Sequence, residues 1–263
     1  MDKQQIIIWG IVAYMLIRCF MLEPNSLVVT KYEVSDKSLE GIRVVFFSDL
    51  HLKKHDFKKL DKVVKLVNEQ KPDVVLIGGD FAWRQDIRKS MNMKIAAQKL
   101  NLIDAPVYAV LGENDWWSDG KQITEDLRNN GIYVLENSNR RLMLKRKYID
   151  VIGIADLKTR QPNIDYAFRR TLTPRLVVTH NPDIYYDIAN DANMIFAGHT
   201  HGGQFIIPFT PPLFVPSKFG AEFASGMVQK GKNKMIITRG VGTSKVPVRF
   251  NCKPEIVVVD FTK

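Results

Sequence analysis

Five short apolar runs in this chain each stop on a small polar cluster, and the clusters draw on the same few residue types. Residues 42–47 end at Asp49 and His51. Residues 73–77 end at Gly78-Gly79-Asp80, and residues 106–111 at Gly112-Glu113-Asn114-Asp115. Residues 175–178 run into Thr179-His180-Asn181-Pro182. Residues 193–197 run into Gly198-His199-Thr200-His201-Gly202-Gly203. Runs this short, rich in Val, Ile and Phe, have the length of buried strands. Between the first three lie stretches with helical spacing: 57–70, with Phe57, Leu60, Val63, Val64 and Val67 in register, and 91–102. This alternation predicts βαβ units and a mostly parallel sheet, hence an α/β fold. In open α/β sheets, ligands bind beyond the carboxyl ends of the strands. The five polar clusters are therefore expected on one rim.

The later half is less regular. A helix is expected over 121–130, closed by Gly131, and strands of a second sheet at 132–135, 141–144 and 149–154. A helix is expected over 164–172 and closing strands at 235–238 and 256–261. Pro208, Pro211, Pro212 and Pro216 make 205–220 a long loop over the edge of the site.

Four of the five histidines (His51, His180, His199, His201) end or follow a predicted strand; His55 reads as a solvated side chain. Mixed imidazole and carboxylate donors suit Mn, Fe or Zn better than Mg or Ca. Asp49-x-His51 straddles a strand end and can aim both side chains at one ion. Asp80, after two glycines, is placed to bridge two.

The other strong feature is the apolar run 6–22, broken only by Arg18 near its end. It approaches the ~20 residues a spanning helix needs. It predicts an uncleaved anchor in residues 1–25, an extended connection over 26–41 with a strand near 27–32, and a catalytic unit over 42–263. Arg18, Lys31, Lys37 and Arg43 outweigh Lys3, which places that unit on the cytoplasmic side. With 38 Lys+Arg against 28 Asp+Glu the net charge is +10, which suits anionic lipid or a phosphorylated substrate. No aromatic–basic interleaving points to nucleic acid. Two cysteines exclude a disulfide framework.

The ordered motifs D-x-H, G-D, G-E-N-D, H and G-H-x-H resemble those of the calcineurin-like metallophosphoesterases, from about residue 42 to the C-terminus. His180-Asn181-Pro182-Asp183, the 198–204 run and the segments 239–244 and 249–252 are similar to a membrane-anchored bacterial branch. The resemblance implies a four-layer α/β/β/α sandwich behind an N-terminal membrane-anchor helix at the inner membrane. It also implies two divalent cations, with Mn the first expectation and Fe or Zn the others. The first ion would take Asp49, His51, Asp80 and His201. The second would take Asp80, His180, His199 and the residue at the family's Asn. Such a pair clamps a phosphoryl group and activates the attacking water.

One departure stands out. The family reads G-N-H-D where this chain reads Gly112-Glu113-Asn114-Asp115. Either Glu113 supplies the oxygen ligand, or the loop shifts and Asn114 does. Asn114 also replaces a histidine, and an amide cannot shuttle a proton. Asn114 and Asp80 are the candidate catalytic residues, and Arg84 is a candidate contact to a substrate phosphate. Without the imidazole, a pyrophosphate bond is favoured over an alkyl ester, because its leaving group needs little acid help. Within the branch this points to a lipid-linked nucleotide, with cleavage of UDP-2,3-diacylglucosamine to UMP and a lipid monophosphate in lipid A synthesis as one example. A broad-specificity phosphodiesterase, or a metal-binding scaffold without turnover, are the other outcomes.

Overall fold

The computed structural model describes residues 2–83, 87–188, 192–231 and 233–263. The strands are β1 (Val28–Ser35), β2 (Arg43–Phe47), β3 (Val74–Ile77), β4 (Val107–Ala109), β5 (Tyr133–Val134), β6 (Ser138–Leu144), β7 (Lys147–Gly153), β8 (Arg175–Thr179), β9 (Met194–Ala197), β10 (Gly226–Lys230), β11 (Asn233–Ile237) and β12 (Glu255–Thr262). They form two six-stranded sheets, in the orders β1-β12-β2-β3-β4-β5 and β10-β11-β9-β8-β7-β6. In the first sheet only the β12–β2 pair is antiparallel. The second is parallel in its middle and antiparallel at both edges.

The period of two along each strand sorts the side chains into layers. In β2, Val44 and Phe46 face the second sheet, while Val45 and Phe47 face the helices. β3 and β12 divide in the same way, as do β8 and β9 in the second sheet. Both faces are covered, so these strands read as unbroken apolar runs. The helical layer on the first sheet is α2 (Phe57–Glu69), α3 (Met93–Leu100) and α4 (Glu113–Asn129), which follow α1 (Lys3–Ile17) in the chain. They bury Leu60, Val63 and Val67, then Ala96 and Leu100, then Ile123 and Leu127. The outer layer on the second sheet is thinner. It consists of α5 (Ile164–Ala167) and single turns at Pro182–Ile184 and Gly220–Phe223, which cover Ile195, Ala197 and Ile237. The order of layers is α/β/β/α.

Several expectations change. Residues 132–135 join the first sheet, because Gly131 (φ +82°) turns the chain out of α4 and back beside β4, completing a βαβ crossover. The helix expected over 164–172 is one turn long: Arg170 takes φ +61° and Leu172, apolar but 64% exposed, has nothing to pack against. The helix expected from residue 121 begins instead at Glu113 and breaks at Asp119. The strand expected near 27–32 is present as β1 and pairs in parallel with β12.

α1 is capped by Asp2, whose carboxylate accepts from Gln5 N at 2.8 Å. It continues through a π-helical turn (Arg18–Leu22) and a 3-10 turn (Glu23–Asn25). Together Lys3–Asn25 make a 23-residue helix, long and apolar enough to cross a membrane. Its end is tied to the domain. Arg249 N donates to Cys19 O at 3.0 Å, and Cys252 N donates to the buried Glu23 carboxylate at 2.6 Å.

Candidate metal centre

Each strand that feeds the rim ends abruptly. Asp49, His51, Asp80, His199 and His201 all hold left-handed backbone, with φ between +42° and +72°. Asp and His tolerate this region better than most residues, at about 1–3 kcal/mol each. The breaks let the strand ends interlock: Asp49 N donates to Gly79 O at 2.9 Å, His51 N to Asp80 O at 3.0 Å, and Gly198 N to His180 O at 2.9 Å. Two glycines make this approach sterically feasible. A Cβ on Gly198 would collide with Ser48 and Asp49, and one on Gly112 with Asp80 and His180.

The side chains converge in two groups. In the first, His201 Nε2 lies 3.3 Å from Asp49 Oδ1 and 3.1 Å from His51 Nε2. In the second, Glu113 reaches His180 Nε2 at 2.8 Å and His199 Nδ1 at 3.0 Å. Asp80 Oδ2 stands between them, 3.5 Å from His51 Nε2 and 3.6 Å from His180 Nε2. All seven residues are buried. The first sheet supplies Asp49, His51, Asp80 and Glu113, and the second supplies His180, His199 and His201. Each group thus draws on both sheets.

The donor set fits divalent cations. His180 Nδ1 lies 2.7 Å from Gly78 O, and His51 Nδ1 lies 3.3 Å from Ala82 O. Each Nδ1–H donates to its carbonyl, which leaves the Nε2 lone pair facing the centre. His180 Nε2 then meets His199 Nδ1 at 3.2 Å, as His51 meets His201, so nitrogens converge where a cation can lie between them. Buried Asp49 Oδ1 and Glu113 Oε2 receive no hydrogen bond. Such acceptors are costly to bury without a positive partner. In each group the donor atoms lie within 4.8 Å of one another.

Electrostatics point the same way. Burial pushes His51 down to about 3, so its imidazole is neutral, as a ligand must be. Burial pushes the Asp80 carboxyl well above the usual range, with Glu113, Asp115 and Asp49 adding to it against the pull of His180. Burial also opposes a charged His180, yet Asp80 and Glu113 override it and hold that imidazole far above its ordinary value. The cluster of carboxylates thus draws positive charge into its centre.

Of the two readings of the 113–114 pair, the structure brings Glu113 to the histidines. Asn114 turns to Asp80 instead: its backbone N donates to Oδ1 at 2.9 Å and its Nδ2 to Oδ2 at 2.6 Å. Glu113 opens α4, where a helix N-terminus favours a carboxylate. Arg84 lies outside the described residues. Asp156, just past β7, caps its own turn by accepting from Thr159 N and Oγ1 (2.8 and 2.6 Å).

A cavity of about 250 Å³ opens over Asp80, Glu113, His199 and His201. Its wall includes Lys158, Gln204, Phe214, Ser244, Lys245 and Val246. Lys158 Nζ lies 3.4 Å from Glu113 Oε1. Sequence reasoning missed it, although it stands just past the end of β7 as the other site residues stand past theirs.

Comparison with known proteins agrees with this geometry. The family described as Calcineurin-like phosphoesterase matches residues 42–203. The phosphodiesterase YaeI of Escherichia coli is 30% identical over 225 residues, which is 83% of this chain and 81% of that protein. The UDP-2,3-diacylglucosamine pyrophosphatase LpxG of Chlamydia muridarum is 26% identical over 302 residues, 90% of each chain. Among solved structures, TT1561 of Thermus thermophilus superposes with a TM-score of 0.50 at 10% identity, covering 76% of this chain and 90% of its own, a likeness of fold alone. The chain belongs to the calcineurin-like phosphoesterases and is a phosphohydrolase.

Proposed function

We propose that this chain is a membrane-anchored, binuclear metal-dependent phosphohydrolase that cleaves a phosphodiester or pyrophosphate bond. The observation that carries it is the pair of three-residue donor groups, Asp49-His51-His201 and Glu113-His180-His199, with Asp80 between them under one cavity. Two divalent cations held there, Mn2+ first among the candidates, would polarise a phosphoryl group and acidify a water.

The chain's own residues do the rest. The carbonyls of Gly78 and Ala82 fix the tautomers of His180 and His51. Asn114 holds Asp80 by both oxygens and so fixes the bridging carboxylate. Glu113 adds a negative charge where the family has an amide. Lys158 partly offsets it and presents an ammonium to the cavity, where a phosphoryl oxygen binds. No imidazole replaces the family's proton donor, so the leaving group must depart without a strong acid. This supports a pyrophosphate or other low-pKa leaving group. The LpxG-like substrate, a diacylated sugar nucleotide, is the specific form of this reading, supported by the similarity to that pyrophosphatase over 90% of each chain.

The test uses the full chain loaded with Mn2+ and assayed on a chromogenic phosphodiester and on UDP-2,3-diacylglucosamine. Turnover of both, with Asp80→Ala falling by about three orders of magnitude or more and losing bound metal, is expected. Background turnover in the parent protein, with metal still bound, would leave a metal-binding scaffold in place of an enzyme.

A further inference from the structure

The cavity adjoins an apolar surface that none of the described residues covers. The 205–214 segment exposes Phe205, Ile207, Phe209, Leu213 and Phe214, with Leu213 70% exposed and Phe209 fully so. Val246, on the cavity wall, is half exposed. Isolated surface apolar residues are ordinary, but a contiguous aromatic patch marks an interaction surface.

Its position identifies the occupant. The root of the segment is bonded to the residues that hold the end of the apolar helix. Ile206 N donates to Phe250 O at 2.9 Å, and Asn251 Nδ2 donates to Ile206 O at 3.1 Å. The Phe205 and Phe250 rings lie 5.2 Å apart. On the helix side, Arg18 donates to Asn251 Oδ1 at 2.9 Å and stands 4.8 Å from the Phe250 ring. The helix is apolar all round and exposed along its length, and a bilayer is the solvent that suits such a surface. Arg18 lies at its domain end, where a guanidinium reaches the headgroups. The headgroup level therefore passes close to Phe250 and Asn251, and with them the root of the 205–214 segment.

We propose that the 205–214 segment docks on the lipid bilayer, with Phe209 and Leu213 entering the boundary between headgroups and acyl chains. Aromatic side chains favour that boundary, and a monotopic surface sinks ~5–10 Å into it. Phe214 belongs to both the exposed segment and the cavity wall, so the segment leads from the bilayer to the rim of the metal centre. The substrate class is then a phosphodiester or pyrophosphate that carries an acyl tail and enters from the membrane. This inference rests on the phosphohydrolase reading above and deepens it.

The test places a fluorescent nitrobenzoxadiazole label on Phe209→Cys in the full chain. The native Cys19 and Cys252 are buried and do not compete for it. The protein is reconstituted in vesicles of phosphatidylethanolamine and phosphatidylglycerol doped with nitroxide-bearing acyl chains. A second label at Met143→Cys serves as control. Met143 is 63% exposed, and Lys145 in the same hairpin bonds Gly41 O before β2, on the rim opposite the metal centre. The expected result is a blue-shifted emission at 209, quenched about twofold or more by the nitroxides, with neither effect at 143. A label at 209 as aqueous as that at 143 overturns the proposal. Turnover of a soluble chromogenic diester in the same vesicles reads the metal centre separately. An aqueous label with full turnover sinks the docking surface alone, and a buried label without turnover upholds it while sinking the catalytic reading.

Discussion

At the scale of single residues, backbone conformation decides where this site can vary. The five left-handed ligand candidates accept few side chains other than Asp, Asn, His and Gly. Glu113 and Asn114 sit in the first turn of α4, where the backbone is helical and imposes no such filter. The departure from the family pattern falls at those two positions. It can be probed directly: Asn114→His returns a proton donor beside Asp80. General acid catalysis contributes ~10²–10⁴-fold, so turnover of a methyl phosphodiester should rise about tenfold or more, while that of a pyrophosphate changes little. An equal rise on both substrates would show that the residue acts on the bridge rather than on the leaving group. Lys59 offers a pH signature. Its ammonium donates to Leu50 O at 2.7 Å, beside the Asp49-His51 turn, and burial moves it down to about 8 in spite of Asp56. An unfolded lysine titrates near 10.5. Between about pH 8 and 10.5 the unfolded chain holds the extra proton, so folding stability should rise with pH across that window relative to Lys59→Met, an advantage lost as pH falls through 8. Urea midpoints of the two proteins from about pH 7.5 to 10.5 measure it; parallel curves would place the Lys59 titration near its ordinary value.

At the scale of elements, Asp115 joins the loops that follow β3 and β4. Its carboxylate accepts from Asp80 N at 2.8 Å, Ala82 N at 2.9 Å and Gly112 N at 3.1 Å. Asp115→Ala leaves these buried donors unpaired, at ~1–3 kcal/mol each. A loss of about 3 kcal/mol or more is expected, seen as a thermal midpoint lower by roughly 6–12 °C. A shift under a degree would mean that water replaces the carboxylate freely. The same loops show why much of the site was legible in sequence. β2, β3, β8 and β9 are buried on both faces, so each reads as an unbroken apolar run, and the polar residue that stops it is conspicuous. Legibility failed where burial is one-sided or pairing is set from afar. β10 alternates exposed and half-buried residues and escaped notice. β5 has two residues, and its partner is decided by how α4 packs rather than by its own sequence. α5 was overextended because Leu172 is apolar yet solvent-facing. Lys158 depends on a turn gathered by Asp156, which accepts from Lys158 N and Thr159 N.

At the scale of the whole molecule, the proposed ligands come from both sheets, and bound cations would join them. A ligand that binds only the folded state at about a hundred times its dissociation constant stabilises by ~2.7 kcal/mol. Restoring Mn2+ to chelator-stripped protein should therefore raise the thermal midpoint by roughly 5–11 °C, read by scanning calorimetry. An unchanged midpoint would mean that the clusters do not bind the ion. The two sheets already share the core built on Phe46 and Phe196, whose rings lie 5.2 Å apart. That core is at the middle of the sandwich, whereas the cations would close one rim of it. A cell short of divalent metal would then hold a sandwich closed at that rim by hydrogen bonds alone, such as His199 N to Asp49 Oδ2. Proteases would find the strand-end loops before any substrate did, and scarcity would register first as a shortened lifetime of the protein.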